Sequence, residues 1–379
     1  MKNIPFHKTY TTDDEINAVV EAMKSGWLTM GPKTVEFEEK FRDYLGVHYS
    51  VALNSATAAL HLALKAIGLQ RNDEVIVPTN TFIATAEVVT YFDAIPVLCD
   101  IEEDTFNIDA SKIEALITEN TKAIIPVHFA GQPCDMDELY ILAKKYNLKI
   151  IEDAAHALPS KYKGEYIGAL RKSDITCFSF YATKTLSTGE GGMAITFNES
   201  YANKIKINRL HGISKDAWDR YTTKASWYYE VVDNGNKYNT TDMNAALGIE
   251  QLKKLEWMKE KRQEIAHKYT LAFKDIENIE TPYIKNDRET SWHLYVIKIK
   301  NRDAIIEQLK SLGIGTSVHF IPIHKHRFYQ ERYGFKDSDY PVSNGVFEKS
   351  LSLPIYPGMD SSDIDYIIKN VIRLVNEAN

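Results

Sequence analysis

Apolar positions along this chain follow two periods. The runs EVIVP (Glu74 to Pro78), AIIPV (Ala123 to Val127) and KIIED (Lys149 to Asp153) are short, continuous and β-branched. Strands covered on both faces have that composition. Strands are expected over 49–53, 74–77, 95–99, 123–127 and 149–152, separated by helices over 57–67, 84–92, 110–116 and 136–146, where apolar residues recur every three or four positions. Alternation of this kind predicts an α/β fold, a doubly wound, mainly parallel sheet sandwiched by helices. Two helices precede it, over 12–25 and 35–45. Thr12 is the expected cap of the first, with Asp13, Asp14 and Glu15 in its opening turn. Phe37, Phe41 and Leu45 share one face of the second.

The period then changes. Residues 242–272 read as a long amphipathic helix broken near Leu255, followed by a strand over 293–299 and helices over 303–312 and 361–376. A chain of 379 residues exceeds the size at which a single core keeps growing. The expected division is a large α/β domain with an N-terminal arm over 1–245 and a smaller C-terminal α+β domain over 246–379.

Composition narrows the partners. The formal net charge of −7 argues against nucleic acid or an anionic membrane surface as the main partner. Cys99, Cys134 and Cys177 lack the spacing of a disulfide framework or a zinc site and read as small core residues of a reduced protein. The opening MKNIPFHKTYTTDDE has no apolar leader, and no apolar run is long enough to span a membrane, so the expected location is the cytoplasm.

In an open α/β sheet the ligand lies beyond the carboxyl ends of the strands. Asn54, Pro78, His128 and Asp153 fall at such ends. Downstream, Ser179 closes another apolar run, and Lys184 stands among small and hydroxylated residues. A carboxylate, a hydroxyl and a lone amine suit a pyridoxal phosphate site. The amine condenses with the aldehyde, the acid keeps the pyridine nitrogen protonated, and the hydroxyl binds phosphate. Each residue has a plainer reading. Asp153 also suits a helix cap or, with His156, a metal ligand, and most lysines are solvated surface residues. The stretch from Asn54 to Thr57 leads into an apolar helix whose first amides suit a phosphate, or simply an Asn/Ser cap. His319, His324 and His326 are separated by Pro322, which breaks any regular helix between them. Substrate or interface contacts suit them better than a metal, and surface histidines suit them as well. No GxSxG elbow supports a serine hydrolase.

Read in order, SGWLTMGPK, NSATAAL, DEVIVPTNTFIATA, TKAIIPVHFAGQPCDM, IEDAAHA, SFYATKTLSTGEGG, YNTTDMNAALGIEQLKKL and SLSLPIYPGM resemble the DegT/DnrJ/StrS family of sugar aminotransferases, which are fold-type I pyridoxal phosphate enzymes. Through KSGWLTMGPK, KYNTTDMNAA and GIGTSVHF the chain is similar to the branch acting on UDP-4-keto-pentoses (4-amino-4-deoxy-L-arabinose type). The resemblance implies a seven-stranded sheet and a pyridoxal phosphate or pyridoxamine phosphate cofactor. It also implies a nucleotide-linked keto-sugar substrate, glutamate as amino donor, and no metal. It makes Lys184 the Schiff-base lysine and proton shuttle and Asp153 the partner of the pyridine nitrogen. Ala56, Thr57 and Ser179 would hold the phosphate, Phe82 would stack on the ring, and His156 would approach the ring hydroxyl. Asn239 would reach the phosphate held by a neighbouring subunit, so a homodimer with shared active sites is implied. Trp27, Thr29, Lys33, His319 and His324 are the implied substrate contacts.

Two positions depart from the family. Tyr181 stands where many relatives have histidine, and Asn239 where many have arginine. Lys184 sets the chain apart from the dehydrase branch, which carries histidine there. The competing readings are a 3-aminotransferase on a dTDP-keto-sugar, a fold-type I lyase or desulfurase, and a non-catalytic homologue. The intact Asp153, Ser179 and Lys184 set argues against the last.

Overall fold

The runs expected to be covered on both faces lie at the centre of the molecule. The structure is a computed structural model describing residues 2–214 and 228–378. Five strands come first: β1 (Tyr49–Leu53), β2 (Glu74–Pro78), β3 (Ile95–Cys99), β4 (Thr121–Ile124) and β5 (Lys149–Asp153). A hairpin of β6 (Lys161–Tyr162) and β7 (Glu165–Tyr166) follows, then β8 (Ile175–Ser179) and β9 (Gly192–Thr196). The central sheet has seven strands in the order β1-β9-β8-β5-β4-β2-β3. Neighbours from β3 through to β8 are parallel, and β9 alone runs antiparallel, to β1 and to β8. The mainly parallel sheet expected from the sequence is therefore present, with one reversed strand.

Alternating residues of each strand feed two cores. On one face Ile76, Ile124, Ile150 and Phe178 meet Phe37 and Phe41 of helix α2 (Pro32–Leu45). On the other, Val75, Val77, Ile125 and Ile151 meet Leu60, Leu62 and Leu64 of helix α3 (Ala56–Ile67), which is apolar nearly all round. Helix α1 (Asp13–Lys24) opens on Thr12, as expected. Glu15 Oε2 accepts from the Thr12 amide and from its hydroxyl, both at 2.8 Å.

Some boundaries shift for local reasons. The expected strand 123–127 runs instead over Thr121–Ile124, because Pro126 has no amide to offer the ladder and Val127 keeps only an isolated bridge to Asp153. The expected helix 110–116 is α-helical over Ala110–Ile113 and tightens to 3-10 over Glu114–Leu116. The long helix 242–272 is two helices, Asp242–Lys253 and Leu255–Phe273. They meet at Lys254, whose ammonium reaches Glu15 at 2.9 Å and Asp14 at 3.1 Å. Ala245, Ile249 and Leu252 of the first helix share the core of Phe37 and Phe41. Ile265, Tyr269 and Phe273 of the second cover an antiparallel sheet of Ile279–Glu280, Tyr295–Ile299 and Ser350–Leu353, together with Leu309 and Val371 from later helices. The three cysteines are free and buried. No helix among the described residues is long and apolar enough to cross a membrane.

One carboxylate ties the N-terminal helices to the rest. Asp242 accepts from the amides of Gly31 (2.8 Å), Lys33 (3.0 Å) and Thr34 (2.9 Å) and from the Thr34 hydroxyl (2.7 Å). It thereby caps α2 from a distant part of the chain. Nearby, Gly248 lets Phe37 approach, since a Cβ there would lie 2.7 Å from the ring. Asp242→Ala leaves the opening amides of α2 without an acceptor and is expected to lower the unfolding free energy by about 2–4 kcal/mol. Urea denaturation checks this, and a loss below about 0.5 kcal/mol would show the cap to be dispensable.

Candidate active site

A cavity of about 610 Å³ lies at the carboxyl ends of β1, β5 and β8. Strand register brings its parts together. Gly192 pairs with Leu53 on one side and with Ser179 on the other, while Cys177 of β8 pairs with Asp153. The residues following β1, the end of β8 and the end of β5 thus meet in one place. A Cβ on Gly192 would lie 2.4 Å from the Ser55 carbonyl and 2.7 Å from the Ala56 nitrogen. Only glycine lets β9 pass beneath the first turn of α3.

That first turn is both capped and open. Ser55 Oγ accepts from the Ala58 amide at 3.1 Å, the ordinary role of a helix cap. The Ala56 and Thr57 amides, one and two residues into the helix, have no acceptor among the described residues. Two free amides at the positive end of a twelve-residue helix form an anion cradle, and Ser179 lines the same cavity.

Asp153 is 5% exposed. Its Oδ2 accepts from the Thr85 hydroxyl at 2.8 Å and its Oδ1 from the Ala155 amide at 3.1 Å. Among the described residues no cation forms an ion pair with it. Burial raises its pKa above the usual carboxylate range, while Thr85, Ala155 and the charge of Lys184 pull the other way. A buried carboxylate in this state is stabilised by a cation brought from outside. The neighbouring Glu152 is already satisfied. It takes His128 Nε2 at 2.8 Å and the Thr176 hydroxyl at 2.7 Å, and the His128 amide donates to the Asp153 carbonyl at 3.2 Å.

Lys184 follows β8 in a turn closed by its own amide on the Tyr181 carbonyl, 2.9 Å away. It lines the cavity, and among the described residues its ammonium has no hydrogen-bond or ion-pair partner. Burial lowers its pKa to about 8, opposed by the attraction of Asp153. A group of this kind supplies a neutral, nucleophilic amine near neutral pH.

The other expected residues divide. Phe82 lines the cavity with its ring 5.9 Å from that of Phe320. His156 is buried there, its Nδ1 has no partner among the described residues, and burial holds it neutral. His319 also lines the cavity, its Nδ1 2.8 Å from the Ser352 hydroxyl. His324 lies outside it. Its ring nitrogens are taken by Thr79 (2.5 Å) and Asn344 (2.9 Å), because Pro322 and the turn after it send the chain away. Trp27, Thr29, Lys33 and Asn239 are likewise absent from the cavity wall of this single chain. The Trp27 indole donates to Met30, Lys33 pairs with Glu36, the Thr29 carbonyl accepts from the Asp242 amide, and Asn239 Nδ2 donates to the Thr240 carbonyl. Residues that the motifs did not single out also line the wall, above all His7 from the N-terminal arm and His293. His293 stood in the expected strand 293–299, so only its polarity within an apolar run marked it. His7 carried no signal, because its neighbours in space are distant in sequence.

The family model of DegT/DnrJ/EryC1/StrS aminotransferases matches residues 9–372. The chain belongs to this family. It is an aminotransferase, and a noncatalytic scaffold is set aside. It is 46% identical to the spore coat polysaccharide biosynthesis protein SpsC of Bacillus subtilis, over 99% of this chain and 98% of that one. Among solved structures it resembles Spr1654 of Streptococcus pneumoniae in its PLP form, with 36% identity, a TM-score of 0.91 and coverage of 100% and 99%. It also resembles PseC of Helicobacter pylori, an aminotransferase involved in the biosynthesis of pseudoaminic acid, with 30% identity, a TM-score of 0.92 and coverage of 99% and 100%.

Because its neutral form predominates above about pH 8, Lys184 in the cofactor-free aminotransferase should acquire half-maximal acylation reactivity near that pH. Competitive labelling with trace acetic anhydride, read by mass spectrometry, measures this. A midpoint near the ordinary lysine value of 10.5 would mean that the amine is solvated.

Proposed function

We propose that this aminotransferase uses pyridoxal phosphate to move an amino group from an amino acid, glutamate, onto a nucleotide-linked keto-sugar. One observation carries the reading. A buried carboxylate without a cation, a helix start without an anion, and an amine without a partner face one cavity. A phosphorylated pyridine aldehyde offers each its complement. Asp153 would hold the pyridine nitrogen, Ala56, Thr57 and Ser179 the phosphate, Phe82 the ring face, and His156 the ring hydroxyl through its free Nδ1. When bound, the cofactor supplies a carbonyl that takes up amines and a pyridinium that delocalises the electron pair left at a carbon losing its proton.

The chain's own residues do the rest. Thr85 and Ala155 orient the Asp153 carboxylate, which would hold the pyridine nitrogen. Lys184 would hold the cofactor through its Nζ, and as a free amine it would take the proton from the donor's Cα. In the cofactor-free protein burial already lowers its pKa to about 8, which favours the neutral amine that this role needs. Donor and acceptor use the same cavity in turn, and ping-pong kinetics follow.

The sugar part of the reading is supported by the roles named for SpsC and PseC. UDP as the nucleotide and C4 as the aminated carbon rest on the motifs SGWLTMGPK and GIGTSVHF. Trp27, Thr29, Lys33 and Asn239 lie off this cavity, and the buried Oδ1 of Asn239 has no partner among the described residues. In a homodimer these residues would serve the neighbouring subunit's cavity, with His319 contacting the sugar from within.

Enzyme loaded with pyridoxamine phosphate should regain the visible absorbance of the lysine-bound cofactor when given the correct keto-sugar nucleotide, and not with 2-oxo acids outside the donor class. Lys184→Ala should lose that absorbance and at least about 10³-fold in turnover. Near-normal steady-state transamination by this variant would overturn the assignment. Product formed from an amino acid without any keto-sugar would favour a lyase.

A further inference from the structure

The N-terminal arm is a strap with two anchors. At one end the Ile4 amide donates to Gly313 O and the Ile4 carbonyl accepts from the Gly315 amide, both at 2.8 Å. Neither glycine tolerates a side chain: a Cβ would lie 1.8 Å from Lys2 O at position 313 and 2.6 Å from Phe6 N at position 315. At the other end the Thr9 hydroxyl donates to Ala182 O at 2.9 Å, two residues before Lys184. Between the anchors, Phe6 and His7 enter the cavity wall. His7 Nε2 is buried and has no hydrogen-bond partner among the described residues.

Behind the same wall lies a cation without an acid. Arg262, on the helix Leu255–Phe273, is 1% exposed. Its Nη1 donates to Ile355 O at 2.7 Å, Trp292 O at 3.3 Å and His293 O at 3.4 Å. Among the described residues no carboxylate forms an ion pair with it. His293 and Ile355 both line the cavity, so the guanidinium backs that wall and its charge reaches His7 and His293. Carbonyl dipoles solvate a buried cation, but they do not cancel its field.

The cavity therefore has, besides the helix start that the cofactor's phosphate would take, a second set of wall residues that favours a negative charge. No arginine lines it among the described residues, yet a transaminating amino acid brings a carboxylate. We infer that His7, backed by Arg262, binds the carboxylate of the amino donor. The inference rests on the aminotransferase reading, which requires such a donor. The ring's other nitrogen faces the Ala182 carbonyl, so Nε2 donates to the carboxylate as the imidazolium; burial and the charges of Arg262 and Lys184 keep the ring neutral on its own, and the incoming anion offsets them as the ring takes up a proton. One donor and a cation at a distance suit a carboxylate rather than the diphosphate of a sugar nucleotide, which calls for several direct charged contacts.

Succinate, a dicarboxylate without an amine, tests this by calorimetric titration into the pyridoxal phosphate-loaded enzyme. The wild type should bind it, and His7→Ala should weaken it about tenfold. His7→Gln, which keeps an N–H, should recover part of the loss. The same alanine variant should raise the donor's KM about tenfold while kcat changes little, and should leave UDP affinity unaltered. Arg262→Lys should retain more succinate affinity than Arg262→Met. Succinate affinity unchanged in His7→Ala, or a loss that falls on UDP instead, would overturn the subsite. A protein that takes up no pyridoxal phosphate would instead overturn the cofactor reading, so the two failures are told apart before succinate is added.

Discussion

The missing side chain at Gly192 is the constraint on which the site depends. Strand β9 runs against the direction of its neighbours and lies between β1 and β8, with Gly192 opposite Leu53 and Ser179. A methyl group at this position would overlap the Ser55–Ala56 peptide. Its absence lets the start of α3, the end of β8 and, one strand further, Asp153 reach a common cavity. Gly191, next to it, is restricted by a side chain rather than by backbone, since a Cβ there would lie 2.3 Å from the Thr188 hydroxyl.

Two aspartates show how the protein separates support from chemistry. Asp242 is buried, and four donors saturate it. It holds the loop before α2 and asks for nothing else. Asp153 is equally buried but, among the described residues, has two donors and no cation. Left alone it takes up a proton or tolerates an unpaired charge, and either state costs free energy that a cationic ligand removes. The same asymmetry separates Glu152, paired with His128, from Asp153, one residue later on the same strand. Strand alternation sends one side chain into the core and the other to the cavity.

Much of this was legible in the sequence, for identifiable reasons. Strands β1 to β5 are covered on both faces, so their β-branched runs stood out. Their order of alternation with helices gave the layered architecture. Reversal of β9 was not legible, since a buried strand reads alike in either direction. Asp153, Ser179 and Lys184 could be named because each follows such a run. His324 shows the limit of proximity: it is five residues from His319, yet a turn places its ring between Thr79 and Asn344. His7 and Arg262 were invisible as a pair because only the folded chain brings the arm against the helix Leu255–Phe273. The family motifs supplied what spacing did not, the role proposed for each residue around the cavity.

The most direct test of the account is a crystal structure of the protein grown with pyridoxal phosphate. The account predicts density continuous from Lys184 Nζ into the cofactor, with the pyridine nitrogen on the Asp153 carboxylate and the phosphate on the Ala56 and Thr57 amides. A phosphate bound elsewhere, or a cofactor whose ring nitrogen faces away from Asp153, would contradict it.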